Sequence, residues 1–370
     1  MDRARADGRI RPASHCGHIG ASGGAGRGPQ THERGLSRHR RSVPPERAAA
    51  GCIYKGRGSA RGRGDGRIRR LVGARVVRIR LGTRGSALAL AQSDWFAERL
   101  RAAGHEVELV RIVTEGDARP IDTEPGEGIF VAAIAGALMR HEIDVAVHSA
   151  KDVPLEEEPD LVIAAYPERA DPRDALVTRS GSQSLATLPA HATVGTDSPR
   201  RAGFLRAARP DLRVVPLHGN VDTRLRRLDA GEVDSLVIAC AGLDRLGRGN
   251  RIDQRLEAAL VTPAPAQGAL AIQVRRSDQT LLHVVSAHDN PEIRHEVEAE
   301  RRVLSATGGT CRAPVGALAS VAGDRFSMVV GGVNSDGSDL RVETLEGSLS
   351  DAIALADAAG RRLAGAVMLR

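Results

Sequence analysis

The 370 residues suffice for two or three domains with full cores, and 41% apolar content with only 2% aromatics describes a globular chain poor in rings. The net charge of +7 is unevenly placed: residues 1–75 carry 18 Lys/Arg against 5 Asp/Glu, while residues 76–370 carry 35 against 41. That acidic balance argues against nucleic-acid binding by the larger part. The longest apolar-and-small run, Gly128 to Met139, is too short for a bilayer span, and Cys16, Cys52, Cys240 and Cys311 show neither a disulfide framework nor metal-ligand spacing.

Residues 1–75 are rich in Gly, Arg and Ser without apolar periodicity and are expected to form a disordered extension. They hold no secretory apolar core; a transit segment and an RNA-binding tail are alternatives to a translated extension without a role. From Arg75 the pattern alternates. Strands are expected at Val76–Leu81, Val107–Val113, Asp144–His148, Leu161–Ala165 and Ala175–Thr178, with helices at Ser86–Ala103 and Phe130–Arg140. A second set runs Thr193–Gly195 strand, Pro199–Ala208 helix, Arg213–Leu217 strand, Val221–Ala230 helix, Ser235–Ala239 strand and Ala241–Leu246 helix. Short β-branched runs between amphipathic stretches indicate parallel α/β sheets, and the Pro-rich Val261–Gln267 reads as a crossing segment. The end of the chain changes style. A charged helix over Pro291–Ala306, strands near Gly316–Val321, Phe326–Val333 and Leu340–Leu345, and a helix from Asp351 suggest a small α+β domain.

One strand–turn–helix device occurs three times, each with arginine near the helix start: Leu81-Gly82-Thr83-Arg84-Gly85-Ser86, Gly195-Thr196-Asp197-Ser198-Pro199-Arg200-Arg201 and His218-Gly219-Asn220-Val221-Asp222-Thr223-Arg224. Ser86 and Ser198 are expected N-caps, with Pro199 at the first helical position. Free N–H groups and the positive dipole end make each turn an anion site, and guanidinium adds a fork suited to carboxylates. In α/β sheets such turns gather at the carboxyl ends of the strands. A solvated helix-start arginine explains any one of them; three together point to a small polyanion. No Walker-type loop favours phosphate.

Lys151 is the only lysine after Lys55, and it stands beside Asp152 just past a strand. A deprotonatable ammonium has properties that arginine lacks, and Asp152 reads either as a structural cap or as an acid/base. Cys311 lies in the loop Thr307-Gly308-Gly309-Thr310-Cys311-Arg312-Ala313-Pro314, a setting for an accessible thiolate or a structural thiol. Cys240, after Val237-Ile238-Ala239, is expected in the core.

The runs Gly82-Thr83-Arg84-Gly85-Ser86-Ala87-Leu88-Ala89, Ala146-Val147-His148-Ser149-Ala150-Lys151-Asp152-Val153-Pro154, Asp171-Pro172-Arg173-Asp174-Ala175 and Ser198-Pro199-Arg200-Arg201 occur in order with four more. These are Gly219-Asn220-Val221-Asp222-Thr223-Arg224-Leu225, Ala241-Gly242-Leu243-Asp244-Arg245-Leu246-Gly247, Pro263-Ala264-Pro265-Ala266-Gln267-Gly268-Ala269 and the Cys311 loop. Together, over roughly residues 76–370, they resemble the porphobilinogen deaminase (hydroxymethylbilane synthase) family.

That resemblance implies an α/β protein with two periplasmic-binding-protein-like domains, 76–168 with 269–288 and 169–268, around a central cleft. A small α+β domain, 289–370, completes it. The implied enzyme is a transferase that condenses four porphobilinogen molecules head to tail on a covalent dipyrromethane cofactor. It releases ammonia at each step and then hydrolyses off hydroxymethylbilane for tetrapyrrole (haem, porphyrin) biosynthesis. By resemblance, Cys311 carries the dipyrromethane, and Lys151, Ser149, Ser198, Arg200, Arg201 and Arg224 hold it. Arg84, Ser86, Gln92, Arg245 and Gln267 bind substrate. Asp152 is the catalytic residue, stabilising the azafulvenium cation left when ammonia departs. Acetate and propionate arms on every pyrrole fit the arginine count independently.

The chain departs from the family pattern at Glu127 (a lysine in many relatives), His218 (an arginine) and Ala266 (a glycine). A monomeric, cytoplasmic protein with no metal, membrane or nucleic-acid partner is expected. Two other readings remain: a non-catalytic two-lobed binder of small carboxylates, which needs neither Cys311 nor the Lys151–Asp152 pair, and a nucleic-acid binder working through the basic extension.

Overall fold

The computed structural model describes residues 76–113, 129–156, 158–310 and 312–366. The basic extension, Glu127 and Cys311 lie outside the described residues. The chain starts one sheet with β1 (Arg78–Thr83), helix α1 (Ala87–Ala102), β2 (Glu106–Arg111), α2 (Ile129–Met139), β3 (Val145–Ser149) and β4 (Leu161–Ala165). It crosses to a second sheet with β5 (Asp174–Thr178), β6 (Thr193–Gly195), α3 (Pro199–Ala208), β7 (Arg213–Val215), α4 (Val221–Asp229), β8 (Ser235–Ala239), α5 (Cys240–Arg245) and β9 (Gln254–Leu256). It then returns to the first sheet as β10 (Leu270–Arg275), followed by α6 (Gln279–Ser286). Last come α7 (Pro291–Thr307), β11 (Val315–Ala322), β12 (Arg325–Gly332), β13 (Arg341–Ser348) and α8 (Ala352–Ala364).

The two five-stranded sheets share one plan, β2-β1-β3-β10-β4 and β7-β6-β8-β5-β9. The sequence suggested parallel sheets; both are mixed. β10 is antiparallel to β3 and β4, and β5 is antiparallel to β8 and β9. The cause is the route of the chain. β4 and β9 end at the carboxyl edge of their own sheets, so each crossing delivers the chain to the carboxyl edge of the other sheet. The next strand can only run back from it. Thus Leu270 opens β10 opposite Ser149, the last residue of β3, and Asp174 opens β5 opposite Ala239, the last of β8. Both crossovers, 166–173 and 257–269, are thereby placed where the helix-start turns gather.

β9, β10 and α6 have no counterpart in the sequence reading. All six residues of β10 are buried, because helices cover both faces of the sheet, so no period-2 alternation exists to betray it. On one side α1 places Gln92, Ser93, Phe96, Ala97 and Leu100 inward at helical spacing, with Leu281 and Val285 of α6 beside them. On the other, Ile134 and Leu138 of α2 meet Ile143 and Leu161. The second sheet is covered likewise by Phe204 and Leu205 of α3 and by Leu225 and Leu228 of α4. Burial of each such side chain stabilises by roughly 1.5–3 kcal/mol.

The third sheet, β11-β12-β13, is antiparallel and packs on α7 and α8 through a core that includes Val303, Phe326, Met328 and Leu363. Asn290 caps α7, Pro291 starts it, and Gly308 ends it at φ 67°. The outer edge of β11 is closed in an unusual way. Its N–H groups at Ala317, Ala319 and Val321 donate to the Pro263 carbonyl (2.9 Å), Glu300 (2.8 Å) and Glu296 (3.1 Å). Arg169, on the first crossover, holds Glu300 with two nitrogens at 2.7 and 2.9 Å, and Glu300 also accepts the Ala266 N–H on the second crossover. A buried carboxylate with this many donors fastens the third sheet to both crossing strands. The crossovers also touch each other. Gly268, at φ +89°, accepts from the Ala170 N–H, and a Cβ on Gly268 would stand 2.5 Å from the Ala170 carbonyl.

Candidate active site

Each helix-start turn is built as its sequence demands. Ser86 accepts from the Ala89 N–H (3.3 Å), Ser198 from the Arg201 N–H (3.4 Å) and Asn220 from the Thr223 N–H (2.9 Å). The hydroxyls of Ser86 and Ser198 therefore serve their own helices. Between β3 and β4 the chain makes a single 3-10 turn, Ala150–Asp152, at the same edge. It holds Lys151 partly buried and Asp152 exposed.

At the crossovers a buried cluster forms. Asp174, wholly buried, pairs with Arg200 and Arg201, each at 2.8 Å. Burial pushes the Asp174 carboxyl up, but the two guanidiniums outweigh it and hold the group well below the usual carboxylate range. Arg200 also donates to the Thr262 carbonyl. Gln267, also wholly buried, donates to the Pro172 carbonyl (2.8 Å) and Asp174 (2.9 Å) and accepts from Arg201 (3.2 Å) and the Lys151 ammonium (3.3 Å). Burial, reinforced by Arg201 and Arg200 against Asp152 and Asp174, lowers the Lys151 pKa to about 8.

The remaining arginines are placed differently. Arg224 donates from Nε to the Gly219 carbonyl (2.7 Å) and Arg245 from Nη2 to the Gly268 carbonyl (2.7 Å). No carboxylate of the described residues lies within ion-pair distance of either. Burial brings both down to about 10, helped at Arg224 by Arg201. Asp197 and Asp244 oppose this only at longer range, and guanidiniums so desolvated, with no direct ion pair among the described residues, are suited to an anionic ligand. Arg84 sits half-buried in the first turn. Gln92 donates to Ser149 Oγ (3.0 Å), joining α1 to the end of β3.

Lys151, Arg200, Arg201 and Gln267 are thus in one bonded group, Gln92 and Ser149 in another, and Arg224 and Arg245 stand apart. Asp174 was given no role by the sequence, although it belongs to a run noted there. The available signal was an aspartate opening the otherwise apolar strand Ala-Leu-Val-Thr. Two of the three departing positions, His218 and Ala266, lie among the described residues. His218 lies with Nδ1 2.8 Å from Asp197 Oδ1, linking the second and third turns. Ala266 adopts φ 63°, a backbone that explains why glycine suits the position. Cys240 is buried as expected, its thiol pushed up to about 12 by burial. His148, beside Ser149, is lowered by burial to about 4 and meets Gln273 of β10 at 3.2 Å.

Two mixed five-stranded α/β sheets and a small antiparallel sheet, with partly buried cations gathered where the crossovers meet the carboxyl edges, define an α/β protein with a site chemically suited to carboxylates. Residues 79–283 match the family model described as porphobilinogen deaminase, dipyromethane cofactor binding domain. The porphobilinogen deaminase of Acidothermus cellulolyticus is 47% identical over 293 residues, 77% of this chain and 87% of that one. That of Roseiflexus castenholzii is 44% identical over 292 residues, covering 77% and 95%, and that of Mycolicibacterium gilvum 48% over 246, covering 66% and 78%. The chain belongs to the porphobilinogen deaminase family.

Proposed function

We infer that this chain is a hydroxymethylbilane synthase, a transferase that joins four porphobilinogen units head to tail on a dipyrromethane primer, releasing ammonia each time, and then frees hydroxymethylbilane by hydrolysis. The observation that carries the reading is the pair Arg224 and Arg245, largely removed from water and bonded to backbone carbonyls, with no ion pair to a carboxylate among the described residues and only the longer-range fields of Asp197 and Asp244. Two such guanidiniums, with the Lys151 ammonium at the carboxyl edge of the first sheet, fit the acetate and propionate arms of a short pyrrole chain.

On this reading Arg224, Arg245, Arg84 and Lys151 bind carboxylates, and Ser149, Ser198, Ser86 and Gln92 line the same carboxyl edge. Arg200, Arg201 and Gln267 hold the floor beneath them. Cys311 is the attachment point. The dipyrromethane, when bound, supplies the free pyrrole carbon that receives each new unit. Asp152 is exposed and enters no ion pair among the described residues, so it can face the substrate pyrrole, stabilise the positive charge that grows as the amine leaves, and carry a proton to that amine. At neutral pH Lys151 remains mostly protonated and can hold an anionic arm. Three sheets with their own cores support the division into 76–168 with 269–288, 169–268 and 289–370. A monomeric, cytoplasmic enzyme belongs to the same proposal; among the described residues no helix is long and apolar enough to cross a membrane.

Intact mass of purified protein tests it. A covalent dipyrrole adduct, coloured by Ehrlich's reagent and lost in Cys311→Ser, is expected. Unmodified protein that binds small carboxylates without turnover would instead indicate a binding protein.

A further inference from the structure

Gln267 has an environment that a ligand-contacting amide would not have. It is wholly buried, and all four of its hydrogen-bonding capacities are used inside the protein. Its partners come from three separate parts of the chain. Lys151 follows β3 of the first sheet, Arg201 lies on α3 beside the second, and Pro172 and Asp174 belong to the end of the first crossover and the start of β5. Gln267 itself is on the second crossover. Its two acceptor bonds face cations and its two donor bonds face a carbonyl and a carboxylate, so the amide cannot turn over without losing all four. Asp174, in turn, is fixed by Arg200 and Arg201 at 2.8 Å each.

We propose that Gln267 is a positioning residue that couples the two sheets at the active site: its carboxamide sets the place and charge state of the Lys151 ammonium relative to Arg201, with Asp174 behind it fixing the direction of the amide. This deepens the proposed function and rests on it. Nothing in this arrangement lets the side chain touch substrate while these bonds stand. Lys151 faces Asp152 on its own turn, Arg200 and Arg201 on α3, Asp174 on β5 and the neutral Gln267 amide on the crossover. Two of those groups oppose its charge and two support it, and the Gln267 oxygen at 3.3 Å is the one direct acceptor of the ammonium's hydrogen bonds among the described residues.

The test uses the full chain and follows porphobilinogen consumption across pH 6–10, with kcat and KM separated and thermal melting recorded. Gln267→Glu puts a carboxylate on the ammonium and should move the alkaline limb to higher pH. Gln267→Leu removes the acceptor and should move it lower, each by roughly half a unit or more. Opposite displacements are the expected signature. A loss of rate with an unmoved limb in both variants, or displacement in the same direction, would overturn the proposal. If Gln267→Leu does not fold, the near-isosteric Gln267→Glu decides alone, and an unmoved or lowered limb refutes. Absence of a dipyrrole adduct on the unaltered protein is a different failure, since it removes the proposed function whatever the variants do.

Discussion

The buried cluster at the crossovers and the open turns of the second sheet contain the same residue types but use them in opposite ways. In the cluster, Arg200 and Arg201 are neutralised by Asp174 and satisfied further by Gln267 and Thr262. At the turns, Arg224 and Arg245 lose water and enter no ion pair among the described residues, while Asp152, past β3 of the first sheet, stays exposed. All of these arginines lie near a helix terminus on a carboxyl edge, so sequence position does not separate them. What separates them is whether a crossover delivers a counter-charge. The cluster ties the crossovers to both sheets; on the proposed function, the turns keep their charge for a ligand.

The comparison is broken most decisively at the two carboxylates. Asp152→Ala should lower turnover on the order of 10²–10⁴-fold with the melting curve unchanged, because an exposed side chain supports no packing. A steady-state rate within a few-fold of the unaltered enzyme would take Asp152 out of the chemistry. Asp174→Ala should do the reverse and act on stability, costing about 3–5 kcal/mol by stranding two buried cations. Denaturant titration reads this. Because the arginines hold the folded-state carboxyl below its ordinary value, the contribution is fully present above about pH 4 and fades only as acid protonates the folded form.

A smaller effect sharpens the same contrast. Arg224→Ala should change stability by less than about 1 kcal/mol, since a desolvated cation without a counter-ion gives the fold little. It should nevertheless weaken binding of a carboxylate arm by roughly 1.5–3 kcal/mol, visible as a raised KM or slower primer loading. A stability loss equal to that of Asp174→Ala would place Arg224 with the buried set. The smallest effect is expected at Ala266→Gly. Relief of the left-handed backbone, about 1–2 kcal/mol, is opposed by a lost buried methyl of about 0.8 and by the extra freedom of unfolded glycine, about 0.4–1. The net change should stay within about 1 kcal/mol by calorimetry. A larger gain would show real strain on the second crossover.

Much of the architecture was legible in the chain. Leu161–Ala165, Thr193–Gly195, Pro199–Ala208 and Ser235–Ala239 form where their patterns place them, and Ser86 and Ser198 cap as their positions suggest. β10 was not legible, because a strand covered on both faces loses its alternation, and its antiparallel sense depends on a crossing that no local pattern encodes. The internal partners of Arg200 and Gln267 were equally hidden. Nothing local to an arginine at a helix start announces that Asp174, from another strand, will pair with it.

The sequence by itself determined most of the elements, the caps, the arginine-bearing turns and, through its ordered motifs, the family. Those features depend on residues within a few positions of one another. Only the tertiary structure decided which cations are paired within the protein and which meet no carboxylate directly among the described residues, because that depends on charges brought together across two crossovers in a medium too dry to screen them.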